Sequence, residues 1–248
     1  LDQWWFSRSY ESPGCRGFTT RDEPVVQSFA AGWLYTWSDI FAGKLTFSDV
    51  WHTPPAPGSR IGLNAWLNGN GFRNDGSYAY GGVIADPENP AKNPDIGFAG
   101  TLERLRSGTG RFTPARGSFE THLDTLRRFL RECRRRGIHV TAFLAPYPHV
   151  VLEEMRSRRD HYRYLWDLPA AAARVGTEEG VYIGDMTDLA TIGRPDRECV
   201  DGFHCGEKTY LEVLLRLAER DLRLRGHVRD PEGLRLKLDQ ETRRFEVF

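Results

Sequence analysis

The sequence predicts an α/β protein built as a three-layer α/β/α sandwich with a mainly parallel sheet and one irregular insertion. Helical and strand patterns alternate through the second half of the chain, which is typical of parallel α/β units. The two clearest strands are short, continuous apolar runs, as expected for strands buried on both faces. Histidine and acidic residues follow these strands directly, and the carboxyl ends of parallel strands are where ligands bind in such folds.

Composition narrows the possible partners. The chain has 248 residues, enough for one large domain with a substantial core, and it carries 34 basic and 34 acidic residues. This balance gives no support for nucleic acid as a partner. No apolar run approaches the ~18–20 residues that a helix needs to span a bilayer.

The N-terminal part predicts a helix over residues 23–50. Pro24 suits a first helical turn, and apolar residues follow at spacings of three and four. We interpret this stripe as core-facing. The alternative is an aromatic platform for sugar rings, because six of the seven tryptophans lie within the first 66 residues. The stripe comprises Phe29, Trp33, Leu34, Trp37, Ile40 and Phe41.

Residues 52–117 are expected to form a loop-rich insertion. Proline, glycine and asparagine cluster there with little periodicity between them, as in a functional lid or a poorly ordered segment. Regular structure is predicted to resume at Ser118, a good helix cap. The apolar residues Phe119, Leu123, Leu126, Leu130 and Cys133 then share one helix face, and Gly137 ends the helix.

Two buried strands are predicted after this helix. The first covers residues 138–145 and is stopped by Pro146 and Pro148, and the second covers residues 180–185 and ends at Asp185. Helical stretches lie between them. Beyond Arg225 the chain is highly charged, and we expect residues 226–248 to be a surface tail.

Asp201 and His204 are the strongest candidates for catalysis. An aspartate bonded to one imidazole nitrogen fixes the tautomer and leaves the other nitrogen to accept a proton. Glycines flank the pair, and Leu211, Leu214, Ala218 and Leu222 predict a helix that anchors it. The alternative is that His204 only caps this helix. A metal site that also includes His149 and Asp185 is disfavoured, because the spacing matches no ligand motif.

Cysteines give a weaker signal. Cys199 and Cys205 bracket the Asp-x-x-His turn and have the spacing to form a disulfide that stiffens it in an oxidising compartment. Two free thiols are the alternative. Zinc binding is disfavoured since neither belongs to a Cys-x-x-Cys pair. Cys133, on the apolar helix face, is expected to be a buried free thiol.

Three segments resemble a known family. They are the Asp-x-x-His sequence before the last long helix, the strand and Pro-x-Pro-His loop at residues 137–149, and the start at residues 1–6. They are similar to the SGNH/GDSL hydrolases, in particular a bacterial cell-envelope branch with an SGNH-hydrolase or flavodoxin-like sandwich. The resemblance implies an esterase or O-acyltransferase acting on O-acyl groups, most often acetyl, of cell-surface glycans. It implies no cofactor and no metal. Asp201 and His204 would be the acid–base pair, with Tyr147, His149 and Asp185 binding substrate.

The nucleophile is where the sequence departs from this family. The Gly-x-Ser turn that follows the first strand has no equivalent, because Gly58 and Ser59 follow a proline-rich segment. We therefore expect residues 1–225 to be one SGNH-like domain whose first strand and serine precede Leu1. Membrane association would depend on that segment. The alternative is a non-catalytic relative that binds a glycan or scaffolds an envelope assembly.

Overall fold

The computed structural model describes residues 34, 37–43, 46–48, 60–61, 70–73, 78–114 and 119–248. The chain divides into two compact units between Pro87 and Glu88. We call residues 11–87 the smaller unit and residues 88–248 the larger unit, and describe each separately.

The smaller unit contains a short antiparallel sheet. Its strands are Arg60–Ile61 (β1), Asn70–Arg73 (β2) and Tyr78–Tyr80 (β3), in the order β1-β2-β3, and helix Gly81–Ala85 (α1) follows directly. This sheet lies within the segment expected to be irregular. Residues 52–59, 62–69 and 74–77 lie outside the described residues.

The aromatic stripe is only partly described. Residues 37–41 are helical, and the ring of Trp37 lies 5.8 Å from that of Phe41 and 5.5 Å from that of Phe47. The prediction of a core-facing stripe is wrong for Leu34 and Phe41, which are 70% and 83% exposed. The other tryptophans of the suggested platform, Trp4, Trp5, Trp33, Trp51 and Trp66, lie outside the described residues.

The larger unit alternates helices with two parallel strands. No described helix is long and apolar enough to cross a membrane. Four short 3-10 helices in the described segments connect the longer elements, at Ile96–Phe98, Gly110–Phe112, Arg159–His161 and Asp196–Glu198. The elements are Ala99–Ser107 (α2), Glu120–Arg135 (α3), Ala142–Leu144 (β4), His149–Ser157 (α4), Arg163–Glu179 (α5), Ile183–Asp185 (β5), Glu207–Arg220 (α6), Leu222–His227 (α7) and Pro231–Gln240 (α8).

Helix α3 confirms the periodicity read from the sequence. Leu123, Leu126, Leu130 and Cys133 are all buried on one face, and Cys133 is a free thiol. The chain leaves the helix through Gly137 with a φ of 70°, a conformation that glycine adopts without strain. The buried face of α3 packs against α5 in the same hydrophobic cluster as the sheet.

Strands β4 and β5 pair in parallel, with Ala142 opposite Ile183 and Leu144 opposite Asp185. On one face, Ala142 and Leu144 join the cluster formed with helices α3 and α5. On the other face, the ring of Phe143 lies 6.4 Å from that of Tyr210 in α6. The described fold is therefore mixed α/β with a two-stranded parallel sheet. Both strands are shorter than the apolar runs that predict them.

Residues 88–114 belong to the larger unit, which corrects the expectation of one irregular insertion over 52–117. Phe98, Leu105 and Phe112 are buried in its main core cluster. In helix α2 only Thr101 and Leu105, one turn apart, are buried. So few buried positions leave no clear periodicity in the sequence.

The charged segment 226–248 is not a surface tail as expected. Helix α8 packs on α6, and Leu238, Phe245 and Val247 are buried. Leu238 and Val247 share a hydrophobic cluster with Leu211 and Leu215 of α6. Charged groups support this packing, since Lys208 donates from Nζ to the carbonyl of Glu241 at 2.6 Å. A few apolar side chains among many charges are enough to dock the segment.

Candidate functional site

The carboxyl ends of β4 and β5 bring two loops together. Beyond the strands, the Tyr147 amide donates to the carbonyl of Thr187 at 2.9 Å, and the Leu189 amide donates to the carbonyl of Tyr147 at 3.3 Å. The strand pairing is thereby extended into the loops. Tyr147 and the residues after β5 consequently share one edge of the sheet, where a parallel α/β fold binds its ligands.

Asp201 and His204 form the contact expected from their spacing. Nδ1 of His204 lies 2.8 Å from Oδ2 and 3.0 Å from Oδ1 of Asp201. Oδ1 also accepts hydrogen bonds from the backbone amides of Phe203 and His204, each at 2.8 Å. One carboxylate therefore holds both the turn and the imidazole that the turn presents. We call this pair the dyad.

A disulfide-closed hairpin carries the dyad. Cys199 and Cys205 are bonded to each other, which resolves the two alternatives left by the sequence in favour of the disulfide. Inside it, the Val200 amide donates to the carbonyl of His204 at 2.8 Å, and outside it the Gly206 amide donates to the carbonyl of Glu198 at 2.8 Å. Helix α6 begins immediately after the hairpin, as its apolar pattern predicts, but it ends at Arg220, and Leu222 of that pattern lies in α7 and is 79% exposed.

The electrostatics suit an orienting carboxylate. Burial acts to raise the pKa of Asp201, but hydrogen bonds and charge from His204, together with the turn amides, outweigh it and hold that pKa below its ordinary value. An ionised carboxylate only accepts, so Nδ1 carries the ring proton and Nε2 the lone pair of the neutral imidazole. The His204 side chain is 47% exposed and that of Asp201 is 27% exposed, so the imidazole reaches the surface while the carboxylate is more sheltered.

Three aromatic side chains pack against one another next to the dyad, and we call Phe112, Tyr147 and Phe203 the aromatic floor. The ring of Phe203 stacks on that of buried Phe112 at 5.3 Å and meets the ring of Tyr147 edge-on at 6.5 Å. The His204 imidazole lies 6.3 Å from the same Phe203 ring. Tyr147, expected to bind substrate, is only 3% exposed, and its ring belongs to this floor and not to the surface.

Asp95 anchors the disulfide-closed hairpin that carries the dyad. Its carboxylate accepts from the amide and the hydroxyl of Thr101, at 2.8 and 2.5 Å, and from the amide of Gly202 at 3.3 Å. A Cβ at position 202 would lie 2.6 Å from Oγ1 and 2.8 Å from Cβ of Thr101, so only glycine fits there. Sequence reasoning missed Asp95 and Thr101, since nothing in their local pattern links them to a turn a hundred residues later.

His149 pairs with a different carboxylate. Its Nδ1 lies 3.0 Å from Oδ1 of Asp188, and its Nε2 lies 4.0 Å from Oε1 of Glu153. Asp196 accepts from the amide of His149 at 2.5 Å and from that of Val150 at 3.0 Å, which caps helix α4. Asp188 and Asp196 were not among the predicted residues. The only signal was that Asp188 closely follows strand β5.

Asp185 has a local role. Its Oδ1 accepts from the amide of Thr187 at 3.1 Å and from the Thr187 hydroxyl at 2.6 Å, so this carboxylate stabilises the turn after β5. Its side chain is exposed. The described residues contain no group of three or more His, Cys, Asp or Glu side chains placed to hold a metal ion.

A third pair lies at the opposite end of the sheet. Nε2 of His139, just before β4, lies 2.8 Å from Oδ2 of Asp221, which also accepts from the hydroxyl of Thr141 at 2.5 Å. Oδ1 of Asp221 accepts from the amides of Arg223 and Leu224 at 3.0 and 3.1 Å and so caps helix α7. We call His139 and Asp221 the amino-end pair.

The described residues of the larger unit do not supply a serine nucleophile for His204. In residues 88–114 and 119–248 the serines are Ser107 and Ser157, which donate to carbonyls within their own helices. Ser59 lies outside the described residues. Comparisons with protein-family models, with curated proteins and with solved structures give no match.

Proposed function

We propose that this protein is a serine-dependent esterase or O-acyltransferase of the SGNH type, with Asp201 and His204 as its acid–base pair. One observation carries the proposal. An exposed imidazole has its Nδ1 fixed by a sheltered carboxylate, in a rigid hairpin whose aromatic floor continues to the carboxyl edge of the parallel strands. Such an arrangement leaves Nε2 as the proton acceptor.

The proposed reaction proceeds through an acyl-enzyme. A serine hydroxyl attacks the ester carbonyl while Nε2 of His204 takes its proton, and the resulting imidazolium gives that proton to the departing alcohol oxygen. Water or a second hydroxyl then attacks the acyl-enzyme, with His204 removing its proton and returning one to the serine. Asp201 stabilises the imidazolium in both halves. The serine is contributed from outside residues 88–114 and 119–248.

The proposed fold is the three-layer sandwich expected from the sequence. Helices α3 and α5 on one face of the two strands and α6 on the other support it. The substrate class, O-acyl groups of cell-surface glycans and most often acetyl, rests on the family resemblance. The surface exposure of His204 agrees with a bulky substrate, because a polymer reaches an exposed base more readily than a buried one.

A fluorophosphonate probe tests the proposal on the product of the complete gene. We expect labelling of one serine in the wild-type protein and loss of labelling in His204→Ala, because the serine is then no longer activated. His139→Ala is the matched control and should remain labelled. Labelling that survives His204→Ala would show that another residue is the base. A folded protein that takes up no probe would instead be the non-catalytic relative.

A further inference from the structure

Two arginine side chains contact the ring of Phe203, the residue that precedes His204 of the dyad. The guanidinium carbon of Arg104, in α2, lies 5.8 Å from the centroid of Phe203, and that of Arg111 lies 5.5 Å from it. The imidazole of His204 is 6.3 Å from the same ring. Two cations and the proposed base therefore surround a single side chain. Both arginines are exposed.

The guanidinium of Arg104 is held by neutral oxygens and makes no direct ion pair with a carboxylate of the described residues. Its Nε donates to the carbonyl of Gly100 at 3.2 Å and its Nη2 to the hydroxyl of Thr101 at 3.1 Å, both neutral oxygens. The carboxylate of Asp95 is linked to Arg104 through the Thr101 hydroxyl, which accepts from Arg104 and donates to Asp95, and the carboxylate of Asp201 is bonded to His204. By contrast, Arg106 on the same helix lies 3.6 Å from Glu154.

We propose that Arg104 and Arg111 bind an anionic group of the substrate, a carboxylate or a phosphate, next to the ester processed at His204. This inference rests on the proposed function and narrows its substrate to acidic acylated glycans. A guanidinium presents paired N–H donors that match both kinds of anion. Contact with the Phe203 ring restricts both side chains in advance, and bonds to backbone and hydroxyl oxygens restrict that of Arg104 further, which lowers the entropy lost on binding.

The first experiment measures binding without requiring catalysis. D-glucuronate and inorganic phosphate are titrated into the protein by isothermal titration calorimetry, with methyl glucoside as the neutral comparison. We expect both anions to bind and the neutral sugar to bind more weakly. Arg104→Gln and Arg111→Gln should each weaken anion binding by about tenfold or more, as expected for one charge-assisted contact.

Arg128→Gln is the matched control. Nη2 of Arg128 donates to the hydroxyl of Thr125, three residues earlier on α3, at 3.2 Å, as that of Arg104 does to Thr101. This variant should leave anion binding unchanged. Equal weakening by Arg128→Gln, or no binding of either anion to the wild-type protein, would overturn the proposal.

A second experiment separates this inference from the proposed function. Hydrolysis of acetylated glucuronate and of its neutral methyl ester is compared in the wild type, Arg104→Gln and His204→Ala. We expect Arg104→Gln to lower kcat/KM about tenfold for the acid and leave the neutral ester unchanged, whereas His204→Ala lowers both. Activity that depends on His204 without preference for the acid would refute the anion site alone. Anion binding without any hydrolysis would refute the esterase alone.

Discussion

The dyad and the amino-end pair contain the same hydrogen bond at opposite ends of one sheet. A histidine nitrogen lies 2.8 Å from an aspartate oxygen in each. In the dyad the carboxylate meets Nδ1 and the imidazole is 47% exposed. In the amino-end pair the carboxylate meets Nε2 and belongs to a helix cap, with 7% exposure of Asp221.

This comparison shows that a histidine–aspartate contact is not by itself a catalytic sign. Asp221 divides its oxygens among an imidazole, the Thr141 hydroxyl and two amides, so it joins β4 to helix α7. Asp201 uses its oxygens to shape one turn and to orient the imidazole of that turn. Exposure of the ring does not separate the two pairs, since the side chain of His139 is 38% exposed and that of His204 is 47% exposed. The position at the carboxyl edge of the sheet and the choice of Nδ1 as the bonded nitrogen distinguish the dyad.

His149 and Asp188 form an intermediate case. They lie at the carboxyl edge of the sheet, as Tyr147 does, and Nδ1 of His149 is again the nitrogen that meets the carboxylate. Nε2, however, lies 4.0 Å from Glu153, and Asp188 also lies 3.5 Å from Nη2 of Arg156. An imidazole with a carboxylate beside each nitrogen is better suited to stay in place than to exchange a proton with substrate.

The largest expected effect comes from Asp201→Asn compared with Asp221→Asn. An amide at position 201 cannot hold Nδ1 as a donor or stabilise the imidazolium, so we expect kcat for ester cleavage to fall by a factor on the order of 10³. The melting temperature should change little by comparison. Asp221→Asn should do the opposite: its amide nitrogen replaces the Oδ2 that accepts from the Thr141 hydroxyl and contacts His139, which lowers stability, while kcat stays near the wild-type value.

Steady-state kinetics and thermal unfolding of the two variants provide the measurement. The contrast fails if Asp221→Asn lowers kcat as far as Asp201→Asn does, because the amino-end pair would then be coupled to catalysis. It also fails if Asp201→Asn retains full activity. His204 would in that case be oriented by something other than this carboxylate.

Local patterns predicted most of the framework. The stripe of α3, the two apolar strands and the helix after the dyad follow from residues within one or two turns of each other. The contact between Asp201 and His204 is equally local, since three residues separate them. The expectations that concerned 88–114 and 226–248 were wrong, because Leu105, Phe112 and Val247 are isolated apolar residues whose burial depends on distant partners.

Long-range partners explain what the sequence did not reveal in the site. Asp95 reaches Gly202 across 107 residues, and His139 reaches Asp221 across 82. Such pairs leave no periodic signal in a single chain. Tyr147 was predicted from its place in a loop, but its ring completes the aromatic floor because the pairing of β4 with β5 continues past the strands.

Gly202→Ala tests how tightly the hairpin that carries the dyad packs against Thr101 and Asp95. The added methyl group would overlap Thr101 and force the hairpin away from Asp95, so we expect a loss of about 3 kcal/mol in the free energy of unfolding. Gly226→Ala is the control, because its Cβ would meet nothing within 4 Å, and it should be neutral or slightly stabilising. Urea unfolding measures both. Equal stability of Gly202→Ala and wild type would show that the hairpin adapts freely.

Removing the disulfide tests whether covalent closure distinguishes the dyad from the other pairs. The Cys199→Ser/Cys205→Ser double variant opens a loop with a sequence separation of 6, and constraint of so short a loop stabilises by about 2 kcal/mol. We expect that loss in urea unfolding, with a smaller loss of activity, because the turn amides still hold Asp201. The Cys133→Ser variant, at a buried free thiol, keeps the disulfide and serves as the control. Unchanged stability of the double variant would mean that the backbone bonds alone define the hairpin.

The smallest expected effect is the acid response of the amino-end pair. Burial acts to raise the pKa of Asp221, but hydrogen bonds from Thr141, Leu224 and His139 outweigh it and lower that pKa from 3.8 to about 2. A carboxyl with a depressed pKa contributes stability that is fully present above its ordinary value and is lost as the pH falls toward about 2. Urea unfolding between about pH 5 and pH 2.5 should therefore show a steeper decline in the wild type than in Asp221→Asn. Parallel declines would mean that the pKa of Asp221 is the same in the folded and unfolded chains. The amino-end pair would then not stabilise the fold through this carboxylate, and its assignment as the structural pair would be wrong.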